Sequence, residues 1–172
     1  MTTAPTRRDT LVPTAPREGE ARERELLAFE LAGERFALPL GSVREILKVA
    51  PVTEVPRARP EVLGILSVRG RITTVLDLRR RLRMPPGEVT KQRRILLVAT
   101  RDEVIGLLVD RVHQVHRLQE DEIGLAAAVA GDLSDYVVGV GRPNGGVDAG
   151  AGGAAPDEEI LVLLDPAPLL ER

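Results

Sequence analysis

Apolar residues along this chain come in short bursts, at 26–31, 35–40, 63–68, 72–78, 95–99, 104–109, 112–118, 136–140 and 160–164. Val, Ile and Leu dominate them, and turn-forming or charged residues such as Ala32-Gly33-Glu34, Arg69-Gly70-Arg71 and Arg101-Asp102-Glu103 separate them. Runs of this length between turn signals predict strands, and their close spacing predicts a mainly β protein of barrels or a sandwich rather than a βαβ wind. Two short helical turns are expected besides. Ser42-Val43-Arg44-Glu45 has the spacing of a capping box, with Val43, Ile46 and Leu47 on one helical face, although a valine-rich strand fits the same residues. Pro60-Glu61-Val62-Leu63 puts proline at a first helical position. Residues 1–24, rich in Pro, Thr, Arg and Glu without apolar periodicity, read as a disordered tail, and the folded domain is expected over 25–171.

The bursts repeat. One constant offset lays Leu27 on Leu96, Phe29 on Val98, Ala37 on Gly106, Leu38 on Leu107 and Leu40 on Val109, then Val43 on Val112 and Ile46 on Val115. A longer offset lays Val62 on Val137 and Gly64 on Gly139, and a longer one still lays Ile72, Leu76 and Asp77 on Ile160, Leu164 and Asp165. The last increase is an insertion at about 142–158, whose glycines suit a flexible loop. Such a repeat predicts two small barrels related by a pseudo-twofold, each of doubtful stability alone and therefore sharing a core, with a groove between them.

Composition narrows the function. With 172 residues, 43% hydrophobic and 29% charged, the chain has room for one domain or two very small ones. No apolar run approaches the ~20 residues of a membrane span, and the first residues lack the apolar core of a secretory signal, so a cytoplasmic protein is expected. Cysteine is absent, which removes disulfides, thiolate metal sites and Cys nucleophiles together. A net charge of −2 with two Phe, one Tyr and no Trp argues against a nucleic-acid platform. The basic runs Arg79-Arg80-Arg81 and Lys91-Gln92-Arg93-Arg94 accordingly read as solvated loop or strand-edge charge, with a nucleic-acid-binding barrel as the alternative.

Candidate chemistry fails residue by residue. His113 and His116 are the only histidines; on a strand they point to opposite faces, and no nearby residue supplies a third ligand, so no metal is expected. Asp77 and Asp110 follow apolar strands and read as turn caps rather than an acid/base pair, Asp77 recurring as Asp165. Ser42, Ser67 and Ser134 lack the setting of an activated nucleophile. The stretch Gly139-Val-Gly141-Arg-Pro-Asn-Gly145 lacks the Gly-Lys-Ser/Thr ending of a phosphate loop. No catalytic residue and no cofactor is assigned. One place stands out: a strand from Val62 is broken by Arg69-Gly70 before another begins, with Gly70 free to take positive φ and Arg69 offering five donors to a partner.

Taken together, Phe29-Glu-Leu-Ala-Gly-Glu-Arg-Phe-Ala-Leu-Pro-Leu40 with Val43-Arg-Glu45-Ile46, Pro60-Glu-Val-Leu-Gly64 running to Arg69-Gly70, Val75-Leu-Asp77-Leu78, Gly106-Leu-Leu-Val-Asp110-Arg-Val112 with Val115, and Ile160-Leu-Val-Leu-Leu-Asp165 resemble the chemotaxis coupling family, the CheW-like domain. The resemblance implies two SH3-like barrels and no catalysis. It implies an adaptor between the cytoplasmic tips of methyl-accepting chemoreceptors and the regulatory domain of a CheA-like histidine kinase, recruited to receptor arrays without inserting in the membrane. Leu40, Val43, Glu45, Ile46 and Val115 would then line the receptor groove, and Gly64, Arg69 and Gly70 would form a turn important for coupling. Ser67-Val68 stands where the family usually has Asn-Leu.

Overall fold

The computed structural model describes residues 22–126, 133–143 and 159–171. Eleven strands and two short helices follow in the order β1 (Glu23–Leu31), β2 (Glu34–Pro39), β3 (Val43–Lys48), β4 (Val62–Val68), β5 (Arg71–Asp77), α1 (Leu78–Arg81), β6 (Arg94–Ala99), β7 (Val104–Val109), β8 (Arg111–Gln119), β9 (Ile123–Gly124), β10 (Val137–Gly141), β11 (Leu161–Leu164) and α2 (Pro166–Leu170). They make a six-stranded sheet ordered β8-β1-β2-β11-β10-β9 and a five-stranded sheet ordered β3-β6-β7-β5-β4, in accord with two SH3-like barrels. Strand β1 starts inside the stretch read as tail; the rest of that stretch and nearly all of the expected insertion lie outside the described residues.

The register repeats as the sequence does. Leu27 faces Val115 and Phe29 faces Val112 across β1 and β8, while their repeat mates pair as Leu96 with Ile46 and Val98 with Val43 across β6 and β3. Both pairings carry a register shift at the same step. The parallel pair Ala37–Leu163 likewise mirrors Gly106–Val75, and Val62–Leu76 mirrors Val137–Leu164. Yet the repeats and the barrels do not coincide. Each barrel takes its first hairpin from one repeat and the remaining strands from the other, because β2 pairs in parallel with β11 and β7 with β5.

This exchange explains the unbroken apolar runs. Leu26 and Ala28 face the interior of the six-stranded barrel, whereas Leu27, Phe29 and Leu31 face a core shared by both sheets. On β6, Ile95 and Leu97 fill the five-stranded barrel while Leu96 and Val98 join the shared core. Strands buried on both faces lose the polar alternation that a solvated face imposes. By contrast β3, with alternating half-buried and exposed residues, keeps it. The shared core is the largest apolar cluster and also takes in Leu78, Leu82, Leu169 and Leu170 from the two helices and their flanks, so neither barrel can be removed without exposing it.

Two helical expectations need correction, and at Val43 the strand alternative is the one that forms. Ser42 opens no helix: residues Leu40–Ser42 form a 3-10 turn, the Ser42 hydroxyl donates to the Pro39 carbonyl at 2.6 Å, and Val43 begins a strand whose backbone bonds to β6. Pro60 begins no helix either; the Val62 N–H donates to the Arg59 carbonyl at 2.9 Å in a turn that feeds β4. The helices form instead after Asp77 and Asp165, whose carboxylates accept from the Arg80 and Ala167 amides at 3.3 and 2.9 Å, so the capping reading of Asp77 holds.

The basic runs are also not simply solvated. Arg79 binds the Asp110 carboxylate through Nε at 2.8 and 3.0 Å and through Nη2 at 2.5 Å. The same carboxylate accepts from the Ala32 amide at 2.8 Å. Arg81 donates to Glu61 and to the carbonyls of Pro168, Leu169 and Glu171 at the end of α2. Arg93 donates to the Gly87 carbonyl at 2.7 Å. A guanidinium with five donors in a fixed fork can satisfy several orphan carbonyls at once, which makes these side chains ties between segments.

Candidate functional site

The chain passes from one barrel to the other twice in equivalent ways, once through Leu40–Ser42 between β2 and β3, once through Asp110 between β7 and β8. The first passage carries most of the predicted site. Leu40 and Val43 are half-buried and pack on the shared core. Glu45 follows on β3, and Ile46 is 43% exposed. Ile46 falls on the solvated side of β3, while Glu45 beside it is half-buried on the other.

Arg69 and Gly70 form the two-residue turn between β4 and β5, with Val68 facing Arg71. Both have positive φ, +48° and +78°. That is the combination a tight hairpin needs to match strand twist, and Gly70 takes it without steric cost. Arg69 adopts it as a non-glycine residue, and its side chain then reaches Glu45 through a two-pronged fork, Nη1 to Oε2 and Nη2 to Oε1, each 2.8 Å. Strands β3 and β4 are the opposite edges of the five-stranded sheet, so the fork joins edge to edge across the closure of the barrel. Thr53 helps close the same seam by exchanging backbone bonds with Ile65 at 2.8 and 2.9 Å.

Not all predicted residues share this surface. Gly64 is buried at the register shift of β4, with φ +152°, and an added Cβ would lie 2.3 Å from the Thr53 carbonyl oxygen. Its place is in the backbone seam against Thr53, toward the far end of β4 from the hairpin tip. Val115 is 41% exposed but sits on β8 in the other sheet, as the counterpart of Ile46. Neither the Glu45–Arg69 pairing nor the Asp110 cluster was visible in the sequence, because each joins residues distant along the chain.

The two histidines part company. His113 Nε2 lies 3.1 Å from Glu30 Oε2. His116 is buried in the six-stranded barrel, at the position that Leu47 holds in the five-stranded one, and its Nε2 lies 3.9 Å from Glu159. Among the described residues no group of His, Asp and Glu converges as a ligand set.

The family model described as the CheW-like domain matches residues 25–172. The chain is 35% identical over 99 residues to the chemotaxis protein CheW of Bacillus subtilis, covering 58% of this chain and 64% of that protein, a little under two thirds of its length. To the probable chemotaxis protein CheW of Rhizobium etli it is 33% identical over 111 residues, covering 64% of this chain and 72% of that one. The crystal structure of scaffolding protein TtCheW from Thermoanaerobacter tengcongensis is similar with a TM-score of 0.74 and 25% identity, over 88% of this chain and 94% of that one.

Proposed function

The chain belongs to the CheW-like domain family, and from that premise we propose that it couples methyl-accepting chemoreceptors to a CheA-like histidine kinase in a chemosensory array. It is a non-enzymatic scaffold of the chemotaxis family. Among the described residues no helix is long and apolar enough to cross a membrane.

The observation that supports this reading is the Arg69–Glu45 fork. Arg69 is 78% exposed, and a pair in that setting contributes at most about 1 kcal/mol to folding. Fixed geometry at so little stability suits a surface whose shape matters to a partner. The fork sets the hairpin tip beside β3, whose Ile46 is exposed and whose Val43, with Leu40 of the preceding turn, leads into the shared core. We place receptor contact on Leu40, Val43, Glu45, Ile46 and Val115, and coupling on Gly64, Arg69 and Gly70. The basic runs do not favour nucleic acid, since Arg79, Arg81 and Arg93 are spent on internal oxygens.

The test is a pair of titrations, against receptor-tip assemblies and against the kinase regulatory domain, with a denaturant melt alongside. Val115→Asp should leave the melt unchanged and weaken receptor binding at least about twentyfold, the equivalent of ~2 kcal/mol at a small hot spot. Arg69→Glu should keep the fold and lose kinase coupling. Val43→Asp should lower the melt as well, because Val43 rests on the shared core. If the unaltered chain binds neither partner, the coupling function is wrong.

A further inference from the structure

Strand β5 breaks its own pattern at one step. Ile72 points outward, 71% exposed, while the next residue, Thr73, is 5% exposed. An apolar residue turned to solvent beside a hydroxyl turned inward is the reverse of what burial favours, and such inversions mark places where another requirement prevails. Ile72 lies in an open groove of about 410 Å³ on the five-stranded barrel, bounded by Arg44 of β3, Arg71 of β5 and the β6–β7 turn with Arg101. These three arginines are exposed, and none has a side-chain partner among the described residues. By contrast Arg69, Arg79, Arg81, Arg111 and Arg117 all reach oxygen atoms of other residues.

We propose that this groove docks an acidic protein segment carrying an aliphatic anchor, its carboxylates pairing with Arg44, Arg71 and Arg101 and its anchor covering Ile72. The guanidinium fork suits planar carboxylates, and long arginine stems widen the apolar floor around Ile72. A nucleic acid fits less well, because no aromatic residue lines the groove to stack on a base. A protein segment can place its carboxylates on the arginines and its apolar side chain between them. The inference rests on the coupling reading only for which partner supplies the segment.

The test titrates a labelled synthetic peptide, glutamates around a central leucine, into the full chain at low and high salt. Binding to the unaltered chain that weakens with salt is expected. Arg71→Glu combined with Arg101→Glu should reduce affinity at least about tenfold, and Ile72→Ser should reduce it severalfold with the salt dependence kept. Arg101→Glu alone, at an exposed turn, serves where the double variant melts early. No peptide binding, binding indifferent to these substitutions, or an RNA oligonucleotide that binds more tightly and is lost with the same variants would overturn the proposal. The same variants titrated with the kinase regulatory domain and receptor assemblies separate the two readings. A groove that takes the peptide while neither signalling partner binds leaves the groove and removes the coupling function; partners that bind and ignore the reversals, with peptide binding also unaffected, remove the groove.

Discussion

The two passages between barrels occupy equivalent places, and the molecule treats them differently. At the second, Asp110 accepts from the Ala32 amide and from Arg79, with Arg93 3.8 Å away, on side chains that are only 11–17% exposed. At the first, the repeat counterpart of Asp110 is Gly41, around whose absent side chain nothing lies within 4 Å. The passage is a 3-10 turn secured by the Ser42 hydroxyl on the Pro39 carbonyl. One passage is clamped from several elements; the other is left open and leads into the exposed edge that carries Glu45 and Ile46. A pseudo-twofold fold offers the same surface twice, and polar clamping takes up one copy while leaving the other open.

Repeat counterparts give ways to break that comparison. The largest effect is expected at the paired glycines. Gly64→Ala forces a Cβ to 2.3 Å from the Thr53 oxygen at positive φ, whereas Gly139→Ala meets the Gly124 oxygen and Ile123 at 2.9 Å without positive φ. The first should cost about 3 kcal/mol or more in a urea melt and the second about 1–2; equal losses would mean the seams of the two barrels are equally strained. Next come the passages. Asp110→Ala strands two poorly solvated guanidiniums and should cost about 2–3 kcal/mol, while Gly41→Ala should stay within about 0.5. A mild Asp110→Ala would dissolve the distinction between clamped and open passages. The smallest effect sharpens the likeness instead: Asp77→Ala and Asp165→Ala each remove one helix cap and should cost about 1 kcal/mol apiece, both within a single transition because α1 and α2 enter one core.

Much of this molecule could be read from its residues. Bursts of Val, Ile and Leu marked most strands because a strand of this length must bury at least one face, and matching Gly and Asp positions marked the repeat because register shifts and caps demand them. Strand β3 was ambiguous, since six residues from Val43 satisfy both periods, and β9 was too short to register at all. Arg79 and Arg81 looked solvated because sequence shows charge but not the oxygen that awaits it.

What the amino-acid order determined by itself, then, was the strand content, the twofold plan and the absence of a thiol site, all local or compositional properties. Which hairpin joins which barrel was decided only in three dimensions, by parallel pairings of β2 with β11 and β5 with β7. The meeting of Arg69 with Glu45, the commitment of Asp110 to Arg79, and the gathering of Arg44, Arg71 and Arg101 around Ile72 came the same way. The reason is physical: these contacts arise between segments far apart in the chain, brought together by burial of a core that rewards apolar area without regard to which charged neighbours arrive with it.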